Sequence, residues 1–232
     1  MSEPDGLLTF AYRGCVFAIP EGLAAPKKGS LFFCRNVAVA PGERVLEIGG
    51  GLGLAAVLMA RAGARVVATD VVPEAVEAIG ANARRNGVDV DVRRGDAYAP
   101  VTGERFDLIC TNPPQMPTPP GRERADATAL ADNGGPDGWA LLDRIIAGAP
   151  EHLAPGGRLL FTIFGFLGRR AAFARLEARG LAPSIIATET QSFPRIGYER
   201  LEHIRSVDTE GTLAGVDLPR TVERLLVEGR SR

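Results

Sequence analysis

Short apolar runs alternate with stretches of helical composition along most of this chain, and this alternation restricts its fold more than any other feature. The first run, 44–48, ends in glycines, and a helix-like stretch follows that Gly63 closes. Pro73 begins a second helix-like stretch, whose apolar residues follow helical spacing. The predicted strands are 44–48, 64–70, 88–94, 106–110 and 158–164, and the predicted helices are 53–62, 73–86, 139–152 and 168–179. This order predicts a parallel sheet with helices on both faces.

Both ends of the chain depart from this alternation. Residues 1–40 include a strand-like stretch, 7–19, and we expect them to form an extension over the sheet edge and the ligand. Near the other end, 182–189 and 199–207 predict two antiparallel strands joined by a long loop. Composition shows no break sharp enough for a second domain. The prediction is therefore an N-terminal extension, 1–40, followed by one ligand-binding domain, 41–232.

Composition narrows the possible functions. The 27 basic and 28 acidic residues give a net charge of −1, which disfavours bulk binding to nucleic acid. Three widely spaced cysteines and two histidines predict neither a disulfide framework nor a metal site. The acidic N-terminus lacks a signal-peptide pattern, and the glycine-rich uncharged run 48–60 is shorter than the roughly 18 residues of a membrane span. We expect a cytoplasmic protein with no metal and no membrane partner.

Three strand ends carry residues suited to a nucleoside ligand, because ligands of open parallel sheets bind beyond the carboxyl ends of the strands. These residues are Glu47, Gly49, Gly51 and Gly53 after the first strand, Asp70 after the second, and Asp96 and Ala97 after the third. The glycines let a ligand approach the backbone, Asp70 can accept both hydroxyls of a ribose, and Asp96 can accept the amino group of adenine. The glycines and Asp70 also satisfy a loose dinucleotide fingerprint, so an NAD-dependent oxidoreductase remains an alternative.

The most specific stretch of the chain, 107–115, follows the fourth strand and reads Asp-Leu-Ile-Cys-Thr-Asn-Pro-Pro-Gln. It resembles class I S-adenosylmethionine-dependent methyltransferases, in particular the group with an Asn-Pro-Pro-aromatic motif, whose members methylate planar nitrogens. Within that group the chain is most similar to the release-factor glutamine methyltransferases, over about residues 21–168. The resemblance extends, in order, to 45–51, 134–138 and 153–157.

This resemblance implies a fold, a cofactor and a mechanism. The fold is a Rossmann-like, seven-stranded, mostly parallel sheet with an antiparallel last strand. The cofactor is S-adenosylmethionine, held by the strand-end residues named above and by Asn112. Asn112 and Pro113 are the catalytic residues, because the Asn112 side-chain oxygen and the Pro113 carbonyl can orient the acceptor amine and stabilise its developing positive charge. Pro114 keeps these acceptors rigid and lines the acceptor site.

Two departures from the family pattern concern the acceptor. Gln115 replaces the aromatic residue that would stack on a planar group, and we expect it to hydrogen-bond a polar acceptor instead. A similar Pro-Gln pair occurs in methionine S-methyltransferases, which this chain resembles weakly. Only about 40 residues precede the first strand of the sheet, too few for the helical N-terminal domain of the bacterial enzymes. The archaeal–eukaryotic branch also lacks that domain, has a loop similar to 112–120, and uses a small partner protein.

Four less specific candidates lie in loops around the predicted site. Lys27 and Ser30 belong to a segment that passes the cofactor in relatives, and we expect them near its carboxylate. Arg122 and Arg124 follow the proline-rich motif and can bind an acidic acceptor. A solvated loop explains Lys27 and Ser30 equally well, and it explains Arg122 and Arg124 better.

Two residues near the end of the chain complete the set of candidates. Tyr198 lies between the last two predicted strands, where small-molecule methyltransferases often build a substrate lid. His203 has the chemistry of a base, but burial in a strand with a satisfied hydrogen bond explains it better.

The sequence therefore predicts an S-adenosylmethionine-dependent methyltransferase whose acceptor is a polar group, nitrogen before sulfur. The acceptor belongs to a small molecule or to a protein side chain such as a glutamine amide. Methylation of sulfur in a methionine-like molecule or of a nucleobase amine remains open, as does a catalytically silent cofactor-binding subunit. A second copy of the chain and a small partner protein are the partners considered.

Overall fold

The computed structural model describes residues 8–123 and 132–231, and a seven-stranded sheet forms its centre. The strands are β1 (Leu8–Tyr12), β2 (Cys15–Ile19), β3 (Arg44–Ile48), β4 (Arg65–Asp70), β5 (Asp91–Arg94), β6 (Phe106–Thr111), β7 (Leu153–Phe164), β8 (Leu181–Ser192) and β9 (Thr221–Ser231). The helices are α1 (Lys28–Asn36), α2 (Leu54–Arg61), α3 (Pro73–Arg85), α4 (Ala140–His152), α5 (Arg169–Glu177), α6 (Arg195–Glu199) and α7 (Leu201–Val207), with short 3₁₀ turns at Ala99–Val101 and Gly165–Leu167.

The strand order in the sheet is β5-β4-β3-β6-β7-β9-β8. Pairings from β5 to β7 are parallel, whereas β9 runs antiparallel to both β7 and β8. This confirms the predicted mostly parallel sheet with an antiparallel last strand. It also places the carboxyl ends of β3, β4 and β6 side by side, which is where the candidate residues lie.

Helices cover both faces of the sheet, as predicted. Successive residues of the central strands face opposite layers: Val45 packs with α1, α2 and α3, whereas Leu46 packs with α4 and α5. Strands buried on both faces need apolar residues at every position, which explains the continuous apolar runs of the sequence. Within the described ranges, no helix is long and apolar enough to cross a membrane.

The N-terminal extension begins with a hairpin of β1 and β2 that packs on helix α3, and α1, which follows it, contacts the edge strand β8. The Asn82 carboxamide accepts a hydrogen bond from the Ala18 N–H (2.7 Å) and donates one to the Ala18 carbonyl (3.1 Å). Asn86, one helical turn further on, makes the same pair of bonds with Val16, both at 2.9 Å. These two carboxamides therefore pair with backbone N–H and C=O groups on the side of β2 that has no neighbouring strand. Asn82 also donates to the carbonyl of Leu52 (2.9 Å), which ties the hairpin to the glycine loop.

The prediction of a strand at 199–207 is wrong, because these residues form α7 and the antiparallel partner of β8 is β9. Leu201 and Ile204 are spaced three residues apart and both pack against the core, which is a helical pattern. His203 consequently lies half-buried on a helix, where its Nε2 is 2.6 Å from the carbonyl oxygen of Pro136.

Candidate active site

The loop between β3 and α2 turns through three glycines in the left-handed region. Gly49, Gly51 and Gly53 have φ values of 75°, 57° and 78°, which residues with a side chain rarely adopt. A Cβ at Gly53 would stand 3.1 Å from the Cα of Ile79, so this glycine allows α3 to pack closely on the loop. At Gly49 and Gly51 no atom lies within 4 Å of the position of a Cβ. The loop therefore presents bare backbone at the carboxyl end of β3.

Asp70, at the end of β4, fixes this loop from the side. Its Oδ2 accepts a hydrogen bond from the Gly51 N–H (2.9 Å) and its Oδ1 accepts one from the Val72 N–H (3.0 Å). The side chain is largely buried, yet each carboxylate oxygen uses only one of its lone pairs in these bonds. Asp70 therefore has free acceptor capacity next to the open backbone of the glycine loop.

Glu47 lies one residue before the end of β3 and is buried beneath the same loop. Its carboxyl group accepts a hydrogen bond from the Ala56 backbone N–H in the first turn of α2. The other oxygen, Oε2, is sealed from solvent and has no partner among the described residues. Burial raises the pKa of Glu47 to about 8, and the nearby Asp70 carboxylate adds to the increase. A cationic group of a ligand would supply the missing partner.

We expect Glu47→Gln to remove a pH-dependent loss of stability. The pKa of Glu47 is about 8 in the folded protein against an ordinary 4.5, so the unfolded chain ionises first as the pH rises. The free energy of unfolding of the wild type should therefore fall, relative to that of the variant, between pH 4.5 and 8, by up to about 1.4 kcal/mol per pH unit. Urea unfolding of both proteins across this range measures the difference. A difference that does not change with pH would contradict the buried, protonated state of Glu47.

Asn112 follows β6 and is held from β7 by a chain of hydrogen bonds. Its Oδ1 accepts a bond from the Thr162 hydroxyl (2.6 Å), and the Thr162 oxygen accepts one from Nε2 of Gln115 (3.1 Å). Oε1 of Gln115 accepts a bond from the Phe164 N–H (2.7 Å), and Nε2 also reaches the Thr162 carbonyl at 3.1 Å. Every polar atom of the Gln115 side chain is engaged with the protein, which does not support its predicted contact with the acceptor. Gln115 instead orients Asn112 through Thr162.

The motif at 134–138 packs directly on the backbone of Gln115. A Cβ at Gly134 would stand 2.6 Å from the Gln115 Cα, and a Cβ at Gly138 would stand 2.7 Å from its carbonyl oxygen. The Gly134 N–H also donates to the Met116 carbonyl (2.9 Å). The two motifs therefore form one rigid unit, in which small residues at 134 and 138 let the second segment clamp the first.

The other residues predicted to bind the cofactor have protein partners or lie outside this cluster. Asp96 is half exposed and its Oδ2 lies 2.5 Å from Nη2 of Arg144. Ala97 is buried and has a left-handed backbone, with φ of 47°. Lys27 forms an exposed ion pair with Asp132 at 2.8 Å, which joins the start of α1 to the long loop after β6. Ser30 lies in the first turn of α1.

Of the residues predicted to bind the acceptor, some lie beside Asn112 and the others lie elsewhere. Pro113 and Pro114 lie in the loop with Asn112, and the Pro113 carbonyl is 3.3 Å from Nε2 of Gln115. Arg122 is exposed in the loop after the motif, and Arg124 lies outside the described residues. Tyr198 lies on α6, where its ring contacts Phe193 (centroids 5.0 Å apart) and its hydroxyl donates to the Pro219 carbonyl.

Thr162 belongs to this site by its hydrogen bonds but was not among the residues predicted from the sequence. It is fully buried and is the one polar residue in 159–164, a run that is otherwise apolar. A hydroxyl in such a run must find a hydrogen-bond partner inside the protein. That isolated polar position was the available signal, but its partner Asn112 comes from another strand and cannot be read from the local sequence.

Comparison with known proteins places this arrangement among methyltransferases. The family model described as methyltransferase small domain matches residues 12–124. A protein of Methanocaldococcus jannaschii, provisionally named a protein N5-glutamine methyltransferase, is 32% identical over 163 residues, which cover 70% of this chain and 82% of that protein. The release factor glutamine methyltransferase of Gloeobacter violaceus is 37% identical over 158 residues. These cover 63% of this chain but 53% of that relative, so the chain spans about half the length of the bacterial enzyme.

A solved structure extends the comparison to nearly the whole chain. The Mtq2–Trm112 complex of E. cuniculi, responsible for methylation of the translation termination factor eRF1, matches with a TM-score of 0.62 at 17% identity. The match covers 91% of this chain and 99% of the other, which shows a shared fold. The relationship to the M. jannaschii protein spans most of both sequences and shows common family membership. The chain thus belongs to the methyltransferase small domain family, and the protein is a methyltransferase.

Proposed function

We propose that the protein transfers a methyl group from S-adenosylmethionine to the side-chain amide nitrogen of a glutamine in another protein. The observation that carries this proposal is the fixed carboxamide of Asn112, whose Oδ1 is held at 2.6 Å by the buried Thr162 hydroxyl. An amide nitrogen is a poor nucleophile because its lone pair is delocalised, so its methylation depends on orientation and on charge stabilisation. The names of the two sequence relatives described above point to the same acceptor group.

The residues around the glycine loop fit the proposed cofactor. Glu47 offers an unpartnered, buried carboxyl oxygen, which suits the ammonium group of the methionine part. Asp70 has free acceptor capacity for the two ribose hydroxyls, and Gly49 and Gly51 leave space for a ligand against the backbone. The carboxylate of Asp96 remains the proposed partner of the adenine amino group, which requires that it leave or share Arg144. When bound, S-adenosylmethionine supplies a methyl group made electrophilic by its positively charged sulfur.

Asn112 and Pro113 provide the acceptor side of the reaction. Oδ1 of Asn112 already accepts one hydrogen bond and has a second lone pair for an N–H of the acceptor amide. The carbonyl of Pro113 makes only a long contact of 3.3 Å with Gln115, so it can accept the other N–H. Two acceptors fixed in this way hold the amide nitrogen with its lone pair directed at the methyl donor and stabilise the positive charge that develops on it. The proline backbone adds no donor that would compete for them.

Gln115 favours an amide acceptor over a nucleobase. Its side chain is buried and fully hydrogen-bonded, so position 115 offers no aromatic face on which a base could stack. The net charge of −1 leaves no surplus of positive charge for a nucleic-acid substrate. We further propose a small partner protein, which is supported by the two-protein assembly of the structural relative.

A labelling experiment tests the proposed acceptor. The purified protein is incubated with S-adenosylmethionine carrying a labelled methyl group and with cell extract, and the product is separated into protein, nucleic acid and small molecules. We expect the label in protein, on a peptide that contains methylated glutamine by mass spectrometry. Label found only in nucleic acid or in small molecules would overturn the proposed acceptor while leaving the methyl donor unaffected. An extract treated with protease beforehand serves as the control, because it should lose the labelled product.

We expect Thr162→Val to lower kcat by about 10-fold at nearly unchanged affinity for the cofactor. Valine keeps the shape of the side chain but cannot donate to Asn112 or accept from Gln115. Loss of one positioning hydrogen bond, worth about 1 to 1.5 kcal/mol, corresponds to a factor of roughly 10 in rate. Steady-state kinetics and calorimetry with S-adenosylhomocysteine measure the two quantities. The exposed Thr209→Val is the matched control, and equal loss of binding and rate in the Thr162 variant would argue against a positioning role.

A further inference from the structure

Arg224, on β9, is a buried cation without a countercharge in contact. The residue is 7% exposed, its Nε is sealed from solvent without a hydrogen-bond partner, and no carboxylate among the described residues lies within ion-pair distance of it. Glu189, its neighbour across the sheet, pairs instead with Arg35 and with Gln191. Burial lowers the pKa of Arg224 to about 10, although the more distant charge of Glu189 opposes this effect. A buried charge without a partner is costly, which indicates that a ligand supplies the countercharge.

The guanidinium group of Arg224 is held flat between two surfaces. On one side its Cζ lies 3.7 Å from the centroid of the Phe164 ring. On the other side it contacts Gly29, where a Cβ would stand 3.0 Å from Nη2 and 3.1 Å from Cζ. A side chain at position 29 would therefore press on the guanidinium. Because both faces of the group are covered, a ligand can approach it only in the plane of the guanidinium, the direction used in bidentate binding of carboxylates.

Helix α1 begins at the same place. Gly29 is the second residue of this nine-residue helix, and no side chain caps the helix N-terminus. The first backbone N–H groups of a helix are free donors and carry partial positive charge, which favours anions. Arg224 thus adds a formal charge to an end of a helix that already attracts an anion.

This cation lies next to the hydrogen-bond chain that holds Asn112. Phe164, on which Arg224 stacks, donates its N–H to Gln115 and pairs with Arg224 across β7 and β9. Thr162, two residues earlier on β7, holds Asn112. Neighbouring strands are about 4.8 Å apart and two residues span about 7 Å, so the site is within the length of a small ligand from Asn112.

We propose that Arg224 and the N-terminus of α1 form a carboxylate-binding site at the edge of the methyl-transfer site. This proposal rests on the proposed function. The carboxylate has two possible sources, the methionine part of the methyl donor and an acidic group of the acceptor. Both sources share the chemistry that a planar guanidinium recognises. In either case Arg224 binds its ligand directly and helps to set which molecules enter the site.

Calorimetry with two nucleosides tests the donor as the source. S-adenosylhomocysteine carries the carboxylate, and methylthioadenosine lacks the amino-acid part. If the donor supplies the carboxylate, Arg224→Gln weakens binding of S-adenosylhomocysteine by about 10- to 100-fold and leaves that of methylthioadenosine unchanged. Arg220→Gln, which removes the same charge from an exposed position just before β9, is the matched control and should change neither.

Ligand-observed NMR on protein saturated with S-adenosylhomocysteine tests the acceptor as the source. Glutaramate carries an amide and a carboxylate, and butanamide carries the amide alone. If the acceptor supplies the carboxylate, Arg224→Gln leaves both nucleosides unaffected but removes the preference of the wild type for glutaramate. The proposal would be overturned if Arg224→Gln changed neither the affinity for S-adenosylhomocysteine nor the preference for glutaramate over butanamide. It would also be overturned if Arg220→Gln caused the same change as Arg224→Gln.

A second variant guards against simple loss of folding. Gly29→Ala places a methyl group against the guanidinium while favouring the helix, so it should reduce the same preference as Arg224→Gln in a folded protein. Arg224→Lys should restore part of it, because charge returns without the bidentate edge. A wild type that binds neither nucleoside would overturn the proposed function instead. The comparison of glutaramate with butanamide on the protein alone would then still decide the role of Arg224.

Discussion

Replacing Asn112 by alanine is expected to lower kcat by about 100- to 1,000-fold, the range found when one preorganised polar group is removed from a transition state. Oδ1 of Asn112 is the acceptor that Thr162 holds in place, and alanine removes it without disturbing β6. The contacts of Glu47 and Asp70 at the glycine loop do not involve residue 112. The dissociation constant of S-adenosylhomocysteine should therefore change by no more than about twofold.

Kinetics and calorimetry on the same preparation separate these two effects. Asn36→Ala is a suitable control, because among the described residues Asn36 donates only to the backbone carbonyl of Phe32 within α1. If the Asn112 variant lost cofactor binding and turnover equally, the acceptor site would be wrongly placed. Retention of full turnover would remove Asn112 from the mechanism altogether.

The parts of the site that could be predicted from sequence are those in which a short segment carries its own geometry. Left-handed φ at Gly49, Gly51 and Gly53 follows from a loop that must turn sharply after a strand. Strand alternation then places Asp70 beside that loop, because the carboxyl ends of neighbouring parallel strands share one edge of the sheet. The order of strands and helices was sufficient to predict the glycine turn and the place of Asp70, without knowledge of any side-chain contact.

The parts that escaped prediction depend on partners distant in the chain. Gln115 was expected to face an acceptor, but Thr162 and Phe164 of β7 occupy its polar atoms. The burial of Arg224 could not be predicted from sequence, because its guanidinium lies against Phe164 and against Gly29, almost two hundred residues earlier. The docking of the N-terminal hairpin on α3 could not be predicted for the same reason, since the carboxamides that receive it are polar residues of an ordinary helix. Polar residues of this kind acquire their roles only from tertiary packing.

Replacing Asp70 by alanine is expected to weaken binding of S-adenosylhomocysteine by about 100- to 10,000-fold. The change removes two proposed charge-assisted hydrogen bonds to the ribose, each worth about 1.5 to 3 kcal/mol. It also frees the N–H groups of Gly51 and Val72, which the carboxylate now holds at 2.9 and 3.0 Å, so the glycine loop loses its side support. Calorimetry measures the affinity, and hydrogen exchange at Gly51 should accelerate in parallel.

Asp91→Ala provides the matched control for Asp70→Ala, because Asp91 lies exposed at the start of the neighbouring strand and pairs only with Arg93 among the described residues. Asp96→Ala should give a smaller loss than Asp70→Ala, since the Asp96 side chain is half exposed and shared with Arg144. Equal losses of affinity at positions 70 and 96 would show that a carboxylate in this region acts through its charge alone. The hydrogen bonds of Asp70 to the loop predict a larger loss at position 70, because Asp70 both binds the ligand and shapes the surface against which the ligand lies.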